Sequence, residues 1–132
     1  FIGCAAVADY RVQQKTNQKI KKSESKLTLT LVKNPDILND VANLANAPFT
    51  LGFAAETQNL REYATDKLQR KKLNMIAAND VSDSTIGFNS DQNAFTVFWP
   101  KGEKKLDVAD KQLLARQLMR LLIQRYTEDT ND

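Results

Sequence analysis

The feature that most constrains this chain is its alternation of short apolar runs with amphipathic helices. Phe49 to Ala55, introduced by Pro48, reads as an apolar strand. Gln58 to Leu73 reads as a helix with Leu60, Tyr63, Ala64 and Leu68 along its inner face. Asn74 to Ala78 reads as a short buried strand. A helix between two apolar strands makes a βαβ unit, whose strands are parallel. The same syntax precedes it. Phe1 to Val7 reads as a central strand, apolar on both faces. Lys26 to Val32 alternates Leu27, Leu29 and Leu31 with Thr28 and Thr30, a half-buried strand. Asn34-Pro35-Asp36 opens a helix, with Asn34 as cap, Pro35 in the first helical position and Asp36 at the positive end of the dipole. That helix runs to about Ala45, with Ile37, Leu38, Val41 and Leu44 on one face.

The remainder supports an α/β class with a largely parallel sheet and an antiparallel ribbon near the end. Asn93 to Trp99 reads as a strand, Pro100-Lys101-Gly102 as a turn and Lys104 to Val108 as the partner strand. A last helix runs from about Ala109 to Tyr126, with Leu114, Leu118, Leu121, Leu122 and Arg125 spaced to pack one side. Asp9 to Ser25 reads as a mobile surface loop, Asn79 to Asp91 as a turn-rich segment, and Thr127 to Asp132 as a frayed tail. At 132 residues this is one domain. The chain opens in mid-strand at Phe1, so it is expected to begin partway through a fold.

Composition removes most catalytic devices. There is no histidine, hence no His-based triad, general base or metal site. Cys4 is the one cysteine, which excludes an internal disulfide and a multi-Cys zinc site. It reads as a small buried hydrophobe, and a lone thiol suits a reducing, cytoplasmic setting. None of the four glycines forms GxGxxG or GxxxxGK[ST]. A net charge of +3 is low for a general nucleic-acid binder, and no segment is long enough to span a membrane.

Four groups retain chemical potential. Arg11, Lys15, Lys19, Lys21 and Lys22 form a basic loop; residues 1–33 hold seven basic against two acidic side chains. Loop lysines suit a polyphosphate, or else form a solvated surface. Lys67, Arg70, Lys71 and Lys72 end the second helix, and Lys67 and Lys71 share a face at a spacing where like charges repel. An anionic ligand would relieve them; alternatively they complement the helix dipole, with Asp66 neutralising part of the face. Gly52 to Thr57 ends a strand with small residues beside Phe53, which can stack on a base or simply fill the core. Asn79-Asp80-Val81-Ser82 ends another strand as an Asx turn, or Asp80 or Asp9 can bind Mg²⁺ alongside substrate phosphates. Ligands of open α/β sheets sit beyond strand carboxyl ends, which picks out Asp9 and Tyr10, Phe53 to Glu56, and Asn79 and Asp80.

Several motifs occur in one order: Ala5-Ala6-Val7-Ala8-Asp9-Tyr10-Arg11, Lys19-Ile20-Lys21-Lys22, Val32-Lys33-Asn34-Pro35-Asp36-Ile37-Leu38, Gly52-Phe53-Ala54-Ala55-Glu56-Thr57, Ala78-Asn79-Asp80-Val81-Ser82 and Gly87-Phe88-Asn89-Ser90-Asp91. Together they resemble bacterial phosphopantothenoylcysteine synthetase, usually the C-terminal half of a bifunctional coenzyme A biosynthesis protein. The other half is a flavin-dependent decarboxylase, so FMN would belong there and not to this chain. The resemblance covers essentially residues 1–132. It implies the C-terminal portion of a phosphopantothenate–cysteine ligase domain, Rossmann-like and three-layered, with residues 9–25 as a lysine-rich flap. It implies CTP-dependent ligation of 4′-phosphopantothenate to cysteine through an acyl-cytidylate, with Mg²⁺, in a homodimer. By the same resemblance Lys19 is the catalytic flap lysine, and Asp9 lies at the nucleotide and metal site. The backbone at Pro35, Asp36, Ile37 and Leu38 would read cytosine, and Phe53 would line the CTP site. Lys67 and Lys71 would bind phosphates, and Ala5 and Ala6 would pack near the pantothenate.

The departure is an absence: nothing here matches the family's upstream glycine-rich βαβ segment, so this chain alone is expected not to catalyse. The strands around Leu27 to Val32 and Ala94 to Trp99, anchored by Phe95, Phe98 and Trp99, are the expected dimer elements. A non-catalytic nucleotide-binding or dimerisation module is the alternative, and CTP preference over ATP and GTP separates the two. A nucleic-acid binder would instead show steeply salt-dependent oligonucleotide affinity.

Overall fold

Each apolar run anticipated from the sequence contributes a strand, though not always over its full length. The computed structural model describes residues 1–18, 25–82 and 90–131. Along these the elements are β1 (Ile2–Gly3), β2 (Tyr10–Val12), β3 (Leu31–Lys33), α1 (Ile37–Ala42), β4 (Leu51–Glu56), α2 (Leu60–Arg70), β5 (Met75–Asp80), β6 (Gln92–Trp99), β7 (Gly102–Asp110) and α3 (Lys111–Asn131). The main sheet has the order β1-β4-β5-β6-β7, and β2 and β3 form a separate antiparallel ribbon. The β1–β4 and β4–β5 pairings are parallel; β5–β6 and β6–β7 are antiparallel. The sheet is therefore mixed: a parallel half carries the expected ribbon on one side.

Alternation along the strands builds three layers. Ala54, Ile76, Ala78 and Phe98 face Ala42 of α1 and Ala64 and Leu68 of α2. Leu51, Met75, Ala77 and Val97 face Leu114, Leu118 and Leu121 of α3. Both sheet faces are thus covered, which is why β4 and β5 read as continuous apolar runs. Gly52 is a close-approach site. A Cβ there would lie 2.8 Å from Leu38 Cδ2 and 3.0 Å from Leu73 Cδ1, so glycine lets α1 settle onto β4.

Several expectations are corrected. Among the described residues, the opening run is the outermost strand of the sheet and is short. Only Ile2 and Gly3 pair, with Leu51 and Gly52, and Phe1, Ile2 and Val7 are about half exposed. The Val7 N–H bonds the Ala5 carbonyl, a three-residue turn that takes the chain out of the extended path. Cys4, expected to be buried, is exposed for the same reason. Strand β2 falls inside the expected loop, held by its register with β3. Leu27, Leu29 and Leu31 are exposed, and only Leu31 of the three lies in a strand. Asp36, not Asn34, caps α1: its side chain accepts the Asn39 N–H at 3.1 Å. Helix α1 ends at Ala42, and Ile37 and Leu44 are exposed.

At the other end, the expected frayed tail is helical to Asn131. Tyr126 packs edge-to-face on Phe49 with ring centroids 5.7 Å apart, and Asn74 Nδ2 donates to Asp129 at 3.2 Å. These contacts dock the last turns. The three aromatics expected as dimer anchors are engaged within the fold. Phe98 is 2% exposed, Phe95 packs on Phe53, and the Arg125 guanidinium lies over Trp99 at 5.0 Å. Phe98 thus belongs to the core, while Phe95 and Trp99 are half-buried at its margin. Among the described residues, no helix is long and apolar enough to cross a membrane.

Candidate functional site

Four separate stretches of the chain meet around one open cavity of about 790 Å³. The segment following β1 supplies Ala5, Ala6 and Asp9. The stretch entering α1 supplies Pro35, Asp36, Ile37 and Leu38. Phe53 comes from β4, and Lys67 and Lys71 from the last turns of α2. These are the expected site residues, with one exception: Lys19 and the rest of its Lys19-Ile20-Lys21-Lys22 motif lie outside the described residues. The Gly87-Phe88-Asn89 motif lies outside them too. Asn79 and Asp80 do not line the cavity. Asp80 instead accepts the Ser82 N–H at 2.9 Å and its hydroxyl at 2.6 Å, the Asx-turn reading of that motif.

The wall opposite α2 is tied together by Asn34. Its side-chain amide donates to the Ala8 carbonyl at 2.7 Å, and its N–H donates to the Asp9 carbonyl at 2.8 Å. Arg11 donates to the Asn34 side chain at 3.0 Å and to the Lys33 carbonyl at 2.8 Å. This network sets the Asp9 segment against the stretch that enters α1. Phe53 lines the cavity while its ring meets Phe95 edge-to-face, with centroids 5.9 Å apart.

The electrostatics differ from the expectation of unrelieved like charges. Lys67 Nζ bonds Glu56 Oε1 at 2.6 Å, and Lys71 Nζ bonds Asp36 Oδ2 at 2.7 Å. Arg70 faces Asp66 at 3.5 Å. Lys67, Arg70 and Lys71 therefore each have a carboxylate of their own, and two of the three carboxylates come from outside α2. Partial burial by itself raises the Asp36 pKa, but the hydrogen bonds from Lys71 and the Asn39 N–H, with the charges of Lys71 and Arg70, outweigh it and the net shift is downward. Among the described residues no three His, Cys, Asp or Glu side chains cluster as a metal site. The strand-end rule marked Glu56 among the residues from Phe53 onward, but its pairing with Lys67 was not legible, since that partner sits on the following helix.

Helices on both faces of a mixed sheet, with an open cavity walled in part by the last turns of α2, make this an α/β/α domain. Residues 1–126 match the family described as DNA/pantothenate metabolism flavoprotein C-terminal domain. The coenzyme A biosynthesis bifunctional protein CoaBC of Haemophilus influenzae is 56% identical over 127 residues, covering 96% of this chain and 32% of that protein. Its Escherichia coli (strain K12) counterpart is 51% identical over 132 residues, with 97% and 32% covered. The solved C-terminal domain of a CoaBC protein superposes with a TM-score of 0.69 at 32% identity, covering 95% of this chain and 53% of that one. The chain belongs to this family, and it spans about a third of the length of these curated relatives.

Proposed function

We propose that this domain carries the phosphopantothenate–cysteine ligase step of coenzyme A biosynthesis. In this reading the carboxylate of 4′-phosphopantothenate attacks the α-phosphate of CTP and expels pyrophosphate. The cysteine amine then attacks the acyl-cytidylate carbonyl, the amide bond forms and CMP leaves. The observation that carries the reading is the convergence of ten anticipated residues from four segments on one cavity. The names of the relatives, bifunctional proteins of coenzyme A biosynthesis, support it and the expectation of a fused flavin-dependent decarboxylase.

Each residue then has a physical task. Lys67 and Lys71 meet the phosphates, the backbone from Pro35 to Leu38 reads the cytosine edge, and Phe53 borders the base. Ala5 and Ala6, lacking bulk, leave room for the pantothenate chain. Lys19 closes over the nucleotide and stabilises charge as the α-phosphate is attacked. Asp9 is the residue that would hold Mg²⁺: its carboxylate has no ion-pair partner among the described residues, whereas Asp36 is committed to Lys71. One carboxylate plus substrate phosphates satisfies such an ion, which when bound neutralises triphosphate charge. The reading includes a homodimer, for which the exposed Leu27, Leu29 and Leu31 are better placed than the engaged aromatics of β6.

The test is Lys19→Gln in the full-length protein. Amide formation from phosphopantothenate, CTP and cysteine should fall by at least about 100-fold, the scale of losing one transition-state charge partner, with the circular-dichroism spectrum unchanged. Full activity in that variant would remove Lys19 from the mechanism.

A further inference from the structure

Glu56 does not line the cavity, yet it holds a residue that does. It is the last residue of β4, its carbonyl accepts the Val81 N–H at 2.9 Å, and its side chain is 14% exposed. Its Oε1 takes the Lys67 ammonium at 2.6 Å. The Lys67 side chain retains 37% exposure and lines the cavity, so a ligand can reach it. An ammonium has three N–H donors, and one bond to a fixed carboxylate leaves two for an incoming anion. A lysine without such a partner loses the rotamer freedom of four bonds when it binds.

The arrangement has a cost that a purely structural pair would not need to bear. A carboxylate near a polyanion site repels the ligand, so its presence is favourable only if fixing Lys67 gains more than the repulsion loses. A tether from α2 to β4 is also redundant here, because Ala64 and Leu68 already bury α2 against the sheet.

We propose that Glu56 is a positioning residue that presets Lys67 for the triphosphate of the nucleotide. The proposal rests on reading the cavity as a CTP site. Glu56 acts only through Lys67, so the two residues form one unit, and their effects on nucleotide binding are not additive.

The experiment is a double-mutant cycle in the full-length protein with Glu56→Gln, Lys67→Met and both together. Glu56→Gln should raise KM for CTP about fivefold, the scale of replacing a charge-assisted hydrogen bond by a neutral one, with kcat within about twofold. In the Lys67→Met background the Glu56 substitution should add nothing to KM. Thermal melts of all four proteins separate loss of fold from loss of positioning, since only a structural role would move the melting temperature in step with KM. An unchanged or lower KM for CTP in Glu56→Gln overturns the proposal, because charge repulsion would then outweigh positioning. Multiplicative effects in the double variant overturn it as well. If the unsubstituted protein shows no dependence on CTP, the CTP reading fails and the proposal with it. CTP dependence with a null cycle defeats Glu56 alone.

Discussion

Asp36 uses its two carboxylate oxygens on two different elements. Oδ1 caps α1 through the Asn39 N–H, and Oδ2 meets Lys71 near the end of α2. The downward shift of its pKa has a definite consequence for stability. A carboxylate with a lower pKa folded than unfolded stabilises the fold fully above the unfolded value and loses that contribution as pH falls through the folded one. The side chain is 46% exposed, so water screens the pair and its contribution stays near about 1 kcal/mol or less. Asp36→Asn keeps the cap and removes the charge. The variant should be less stable than the parent at neutral pH, and the gap should close as the solution is acidified. Urea melts across a pH series check this, and a gap independent of pH would count against the ion pair. Sequence placed Asp36 at the start of a helix correctly. It named the wrong cap, because Asn34 and Asp36 are both good caps and Asn34 is drawn away by Ala8, Asp9 and Arg11.

At the scale of elements, α2 illustrates what ends a helix. Arg70 is its last residue, short of the Leu73 expected from the apolar spacing. Lys72 adopts a left-handed conformation with φ 57°, its N–H bonds the Gln69 carbonyl at 3.1 Å, and the Leu73 N–H bonds the Leu68 carbonyl at 2.9 Å. This is a Schellman ending with a lysine where glycine is usual. Buried Leu68 and Leu73 supply the accompanying apolar contact. Lys72→Gly should therefore stabilise the domain by about 0.5–1 kcal/mol, the relief of left-handed strain less the extra freedom of glycine when unfolded. A denaturant melt with unchanged slope checks it, and a destabilised variant would assign Lys72 a contact that outweighs the strain. The basic run from Lys67 to Lys72 was visible in the sequence, but the turn inside it was not, because no glycine marks it.

For the whole molecule, the three-layer arrangement joins the site to stability. The cavity is walled by segments from both the sheet and its α1–α2 layer, so a ligand that spans them binds the folded chain and not the unfolded one. CTP at about 100 times its dissociation constant should raise stability by about 2.7 kcal/mol. A thermal-shift titration in the presence of Mg²⁺ should rank CTP above ATP and GTP. Equal shifts for all three would argue for a general phosphate site, and no shift with any would favour the scaffold alternative. The βαβ syntax and both helix-covered faces were legible because apolar periodicity is local. The mixed sheet order was only partly legible, since the ribbon could be placed near the end but not its partner strand.

By itself the sequence determined the order of most strands and helices and that the central strands β4 and β5 are apolar on both faces. Periodicity and turn chemistry act over one or two turns of chain, so they survive without neighbours. Tertiary structure alone decided that β1 pairs with β4 through Ile2 and Gly3 only and that Phe98 is buried in the core. It also decided that Lys67 and Lys71 carry Glu56 and Asp36 as partners. These depend on which elements pack together, and charge and apolar surface pair by distance in space, which order along the chain does not specify.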